Sequence, residues 1–141
     1  MGKYVIILQV LKMPERSSDW LRQAEADLRH AINSFNAGDF EWTCFAAQQA
    51  AEKAVKALFQ KLHLDAWGHT VSILLANLPA EIAVPEDLID KAKVIDKHYI
   101  PARYPNGFEI GAPTDFYTAG EADTAIKIAG EIIEFCKNHL R

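Results

Sequence analysis

Gln49, Lys53 and Lys56 recur at helical spacing inside the alanine-dense run Phe45-Ala-Ala-Gln-Gln-Ala-Ala-Glu-Lys-Ala-Val-Lys-Ala-Leu58. Offsets of i, i+4 and i+7 put these side chains in one row of a helix. Two ammonium groups in such a row can seat a phosphate or a carboxylate; equally, they can form a solvated face that Glu52 balances. A second group falls in His98-Tyr-Ile-Pro-Ala-Arg-Tyr-Pro105, where Pro101 and Pro105 bracket Arg103 between Tyr99 and Tyr104. A guanidinium offers a bidentate fork to phosphate or carboxylate, and tyrosine rings can stack on it or on a base. The alternative for Arg103 is a salt bridge to a helix that fixes the loop. His69 follows Gly68 at a helix entry, where it either caps locally or touches a bound anion. These seven residues form the candidate ligand or partner site.

Metal and nucleophile chemistry finds no matching pattern. The 141 residues contain no Cys-x-x-Cys, no His-Glu-x-x-His, no glycine-rich phosphate loop and no nucleophile elbow. His30, His63 and His139 read as solvated helix histidines. No catalytic residue, metal or cofactor is expected.

The elements that must position these residues are helices. Ser18 can cap a first helix whose Leu21, Ala24, Leu28, Ala31, Ile32 and Phe35 share a stripe, and Asn36-Ala-Gly38 stops it. A second helix spans about 40–62. Cys44, Ala47, Ala51, Ala54, Val55, Leu58 and Leu62 line one face, and Trp42, Phe45, Gln49, Lys53, Lys56 and Gln60 the other. Apolar residues on both sides place it centrally in a bundle or in a second interface. Its alanines at 46, 47, 50, 51, 54 and 57 admit close backbone approach. Asp65-Ala-Trp-Gly-His69 is a turn, Thr70 to Leu78 a short helix, and Pro85 the first residue of a helix that Pro101 ends. The stretch from Ala102 to Tyr117 has no helical period, and loops of that length are often functional. Thr118-Ala-Gly-Glu121 is a capping box for a last helix, with Ala122, Ala125, Ile126, Ala129, Ile133, Cys136 and Leu140 inward. The fold class is therefore all-α: an up-and-down antiparallel bundle of four long helices plus one short helix.

Composition sets the outer limits. One domain of this length buries about two thirds of its unfolded surface. A net charge of -4 excludes a broad nucleic-acid surface. Cys44 and Cys136 read as buried free thiols of a cytoplasmic protein. The apolar run Tyr4 to Leu11 is too short to span a bilayer and no cleavage site follows it, so residues 1–17 are expected as an extension outside a core of 18–141.

Asp19-Trp20, Ala26-Asp-Leu28, the run from Phe45 to Lys56, Trp67-Gly-His69 and Tyr99-Ile-Pro-Ala-Arg-Tyr-Pro105, in that order, resemble the HEPN family of small helical bundles. The resemblance covers roughly Asp19 to Leu140. It implies a bundle that commonly forms a homodimer and pairs with a separate minimal nucleotidyltransferase, as in toxin–antitoxin pairs. Many members are ribonuclease toxins with an arginine, about four to six intervening residues, then a histidine as acid or base. This chain departs from that pattern: none of Arg16, Arg22, Arg29, Arg103 and Arg141 has a histidine so placed, Arg22 to His30 being one residue too long.

The leading expectation is a non-catalytic module that binds a nucleotide or assists a nucleotidyltransferase partner. Gln49, Lys53 and Lys56 would lie near the phosphates, and His69, Tyr99, Arg103 and Tyr104 would add contacts and a stacking surface. The alternatives are a metal-independent ribonuclease in which His69 and Arg103 converge, and a structural module in which Trp42 and Phe45 bury in a symmetric dimer.

Overall fold

Helical periods separated by short polar breaks produce an all-α bundle, seen in a computed structural model that describes residues 15–141. The expected extension over residues 1–17, with its apolar run, lies mostly outside the described residues. Six helices follow in order: α1 (Ser17–Asn36), α2 (Phe40–Lys61), α3 (Val71–Ala76), α4 (Glu86–Asp96), α5 (Pro113–Phe116) and α6 (Ala119–His139). No strand occurs among the described residues. Helices α1, α2 and α6 have 20, 22 and 21 residues, α4 has 11, and α3 and α5 have 6 and 4.

Helix α2 is the axis of the bundle, in contact with all five other helices. No residue from Thr43 to Gln60 is exposed, so its two-sided pattern reflects a central position. Ala47, Ala50, Ala51 and Ala54 are fully buried, which lets neighbouring backbones approach. Cys44 and Cys136 are free and buried, and loss of water around them pushes both thiols up to about 12.

Helix ends follow local chemistry. Gly38 takes φ +81°, and the Asp39 N–H donates to the Ser34 carbonyl at 2.9 Å, which closes α1. α2 closes in the same way with His63 at φ +56°, a left-handed residue that costs about 1 kcal/mol in a non-glycine. Thr118 Oγ1 accepts the Glu121 N–H at 3.2 Å and starts α6, as the capping box predicts.

Several details differ from the periodic reading. α1 begins at Ser17 without a side-chain cap, because Arg16 holds the cap position and its guanidinium has no acceptor; the Glu15 carboxylate accepts the Ser17 N–H. Ile32 is 41% exposed: it lies 100° around the helix from buried Ala31, beyond the narrow stripe facing α2 and α6. Ile128 and Ile132 are buried because α6 packs against α1, α2 and α4, widening its inner face. Pro85 stands one residue before α4. The stretch read as irregular holds a 3₁₀ turn over Pro105–Gly107 and the short α5, each opened by a proline whose fixed φ favours a helical turn.

Candidate functional site

Three segments converge where α4 breaks. Helix α2 supplies Phe45, Gln48, Gln49, Glu52 and Lys56 from successive turns of one helix. The turn after α2 supplies His69, and the break after α4 supplies Tyr99, Arg103 and Tyr104. The Arg103 N–H bonds the Ile100 carbonyl at 3.0 Å and its Nε donates to the Tyr99 carbonyl at 2.8 Å, so the arginine secures its own turn.

Arg103 rests on aromatic rings. Its guanidinium carbon lies 4.4 Å from the Phe45 ring centre, 4.8 Å from Tyr99 and 5.1 Å from Tyr104. Ring quadrupoles attract a cation at these distances. Its two terminal nitrogens make no hydrogen bond among the described residues, where no buried side-chain nitrogen or oxygen lacks a partner, so they face solvent. The expected alternative, a salt bridge from Arg103 to a helix, is absent among the described residues. His69 stacks on Tyr99 with ring centres 4.6 Å apart and planes 14° apart, so His69 and Arg103 lie against the same ring.

Behind the rings lies a buried polar network centred on Glu52, whose side chain is 6% exposed. Its carboxylate accepts Gln48 Nε2 at 3.2 Å and Lys56 Nζ at 3.1 Å. His69 Nδ1 lies 3.0 Å and 3.1 Å from its two oxygens. Gln48 Nε2 also donates to the His69 carbonyl at 3.0 Å, and Gln48 Oε1 accepts Gln49 Nε2 at 2.8 Å. With a neutral imidazole, Nδ1–H donates to Glu52 and Nε2 is left as an outward acceptor; a protonated ring offers an outward donor instead.

The predicted residues therefore divide. His69, Tyr99, Arg103 and Tyr104 form a stacked cationic platform, and Gln49 and Lys56 belong to the network behind it. Lys53 turns away to pair with Asp27 of α1. Each ammonium of the lysine row meets a carboxylate, Lys53 that of Asp27 and Lys56 that of Glu52. Glu52, Gln48 and Phe45 complete the site beyond the residues picked from sequence. The signal for Glu52 was present: an acid amid alanines on a helix buried on both sides must find partners, and Gln48 and Lys56 stand one turn to either side. Arg22 and His30, the nearest approach to an arginine–histidine spacing, are exposed on α1 and make no bond to this network.

The HEPN domain family matches residues 17–139. The chain belongs to the HEPN family. Among HEPN relatives, "Putative toxin MJ1304" of Methanocaldococcus jannaschii is 27% identical over 131 residues, which span 86% of each chain. The crystal structure of TT1696 from Thermus thermophilus superposes with a TM-score of 0.87 at 48% identity, covering 89% of this HEPN chain and 99% of that one. ST0689, an archaeal HEPN homologue, gives 0.76 at 40% identity over 89% and 98% of the two chains. The HEPN domain protein tm0613 from Thermotoga maritima gives 0.70 at 37% over 85% and 95%. Among the described residues no helix is long and apolar enough to cross a membrane.

Proposed function

We propose that this HEPN chain is a non-catalytic module that binds a nucleotide on the Arg103 platform and works beside a separate minimal nucleotidyltransferase, as one half of a toxin–antitoxin pair. One observation carries the reading: a guanidinium held on three aromatic rings with its terminal nitrogens turned to solvent. Such a group is pre-oriented for a phosphate, and pre-orientation lowers the entropy lost on binding. Tyr104, 48% exposed, and half-exposed His69 offer ring faces for a base. Because Lys53 and Lys56 are paired within the chain, we assign the phosphate contact to Arg103, with Lys56 acting through Glu52 and Gln49 through Gln48. The relative named as a toxin supports the toxin–antitoxin setting. Trp42, 49% exposed beside Phe45, offers apolar surface for a homodimer.

Calorimetric titration with AMP, ATP and GTP, alone and with the candidate nucleotidyltransferase, tests the proposal. Wild-type protein binds at least one nucleotide, and Arg103→Ala weakens it by about 10- to 100-fold, the value of a charge-assisted hydrogen-bond pair. Arg103→Lys retains part of the affinity, since an ammonium keeps the charge and loses the fork. Absence of binding in both settings overturns it. A ribonuclease reading draws on one observation, the shared Tyr99 ring that brings His69 and Arg103 together. Cleavage of structured RNA by wild type that disappears in Arg103→Ala replaces the binding reading with that one.

A further inference from the structure

A second concave site lies behind the Pro101 turn, between the end of α4 and the first turns of α6. It is a cleft of about 680 Å³, within the size range of pockets that hold small molecules. Its apolar wall includes Val94, Pro101 and the Phe108–Phe116 pair, whose rings stack 4.7 Å apart and 8° from parallel. Lys97 and Glu121 bring one charge of each sign to the lining, so neither a cation nor an anion is favoured.

His98 gives the cleft its polar point. The residue is 7% exposed, and its Nδ1 lies 3.3 Å from the Tyr117 hydroxyl, long for a bond of this kind. Nε2 makes no hydrogen bond among the described residues, yet no buried side-chain nitrogen there lacks a partner, so Nε2 is open to the cleft that His98 lines. Within the chain the ring makes only this one long bond, so Nε2 keeps an unused hydrogen-bonding valence on the cleft side. A group arriving through the cleft completes its hydrogen bonding.

We infer that this cleft is a second ligand site, separate from the Arg103 platform, that takes a small uncharged aromatic ring bearing a hydrogen-bonding group, with the ring against the apolar wall and its polar group on His98 Nε2. The stacked phenylalanines favour a planar ligand over a globular aliphatic one. The balanced rim and apolar wall favour a neutral ligand over an ionised one.

Phenol, indole and benzamide serve as probes, with benzoate as the anionic control and cyclohexanol as the non-aromatic one. The readout is the His98 ring resonance in NMR titrations of the full chain. Gly120 lines the cleft in the first turn of α6, and a Cβ there meets nothing nearer than Thr118 Oγ1 at 3.9 Å, so Gly120→Leu adds bulk at the cleft's edge without a clash at Cβ. At least one neutral aromatic probe saturates the His98 shift, and Gly120→Leu weakens it by about tenfold or more. An excess of AMP leaves the titration unchanged, which separates this site from the nucleotide reading. The inference is overturned if no probe saturates, if benzoate or cyclohexanol binds as well as the aromatic probes, or if Gly120→Leu binds as wild type does.

Discussion

Glu52 takes donors from Gln48, Lys56 and His69 while almost wholly out of water. Its removal therefore leaves a largely buried ammonium without its counter-charge and a ring without its tether. Glu52→Ala is expected to cost about 3 kcal/mol in urea unfolding, the range for breaking one side of a buried ion pair. Glu52→Gln keeps the shape and part of the bonding and is expected to lose less. A loss in Glu52→Ala below about 1 kcal/mol, the level of an exposed pair, would mean that water takes the carboxylate's place. At this scale the sequence was half legible. Arg103 stood out because two prolines and two tyrosines surround it, a pattern that packing does not demand. Glu52 was read only as charge balance for the lysines, because its main ring partner, His69, comes from a separate turn of the chain.

Element by element, periodicity read well where a helix runs long and failed where one element completes another. The order of the long helices, the stop at Gly38 and the Thr118 cap all followed from local residue types. The tie between α3 and α4 did not. Asp96, at the end of α4, accepts the Val71 N–H at 2.6 Å, the Ser72 N–H at 3.2 Å and the Ser72 hydroxyl at 2.5 Å. Thr70, the residue in the local cap position, makes no side-chain cap bond, so α3 borrows its cap from a neighbour. No sequence window around α3 contains that carboxylate. Asp96→Ala is expected to destabilise the chain by about 1–2 kcal/mol, the usual value of a lost cap. Hydrogen exchange should quicken first over Val71–Ala76, because that short helix has little else to hold its amide groups. Exchange that quickens equally across all helices would argue against a local cap.

Across the whole molecule, His98 ties stability to pH. Burial lowers its affinity for a proton below the ordinary value near 6.5, nearby Glu121 opposing and Lys97 assisting that shift. The Tyr117 hydroxyl beside it is itself pushed up to about 12 by burial, so it stays protonated through this range. As pH falls through about 6.5, the unfolded chain takes up the proton before the folded one does. Stability from this residue is therefore present above that value and is lost as pH falls toward the lowered folded value. Urea unfolding at pH 7.5 and 5.5 should show a drop in wild type and a smaller drop in His98→Phe. Equal drops would place the acid sensitivity elsewhere. The α-helical class and the bundle were legible from pattern alone. The cleft was not, because its walls come from α4, the stretch after Pro101 and α6, and their convergence is a property of the folded chain.

The alanines of α2 carry one more consequence. An alanine has no rotamer to freeze, so the buried Ala46, Ala47, Ala50 and Ala51 between Phe45 and Glu52 order with no loss of side-chain freedom. Phe45 and Glu52 stand two turns apart on that helix, about 10 Å along its axis. The helix between them has few flexible side chains through which it could bend or repack. The ring beneath Arg103 and the carboxylate behind His69 are thus mounted on one stiff rod, and their spacing is set by helical pitch.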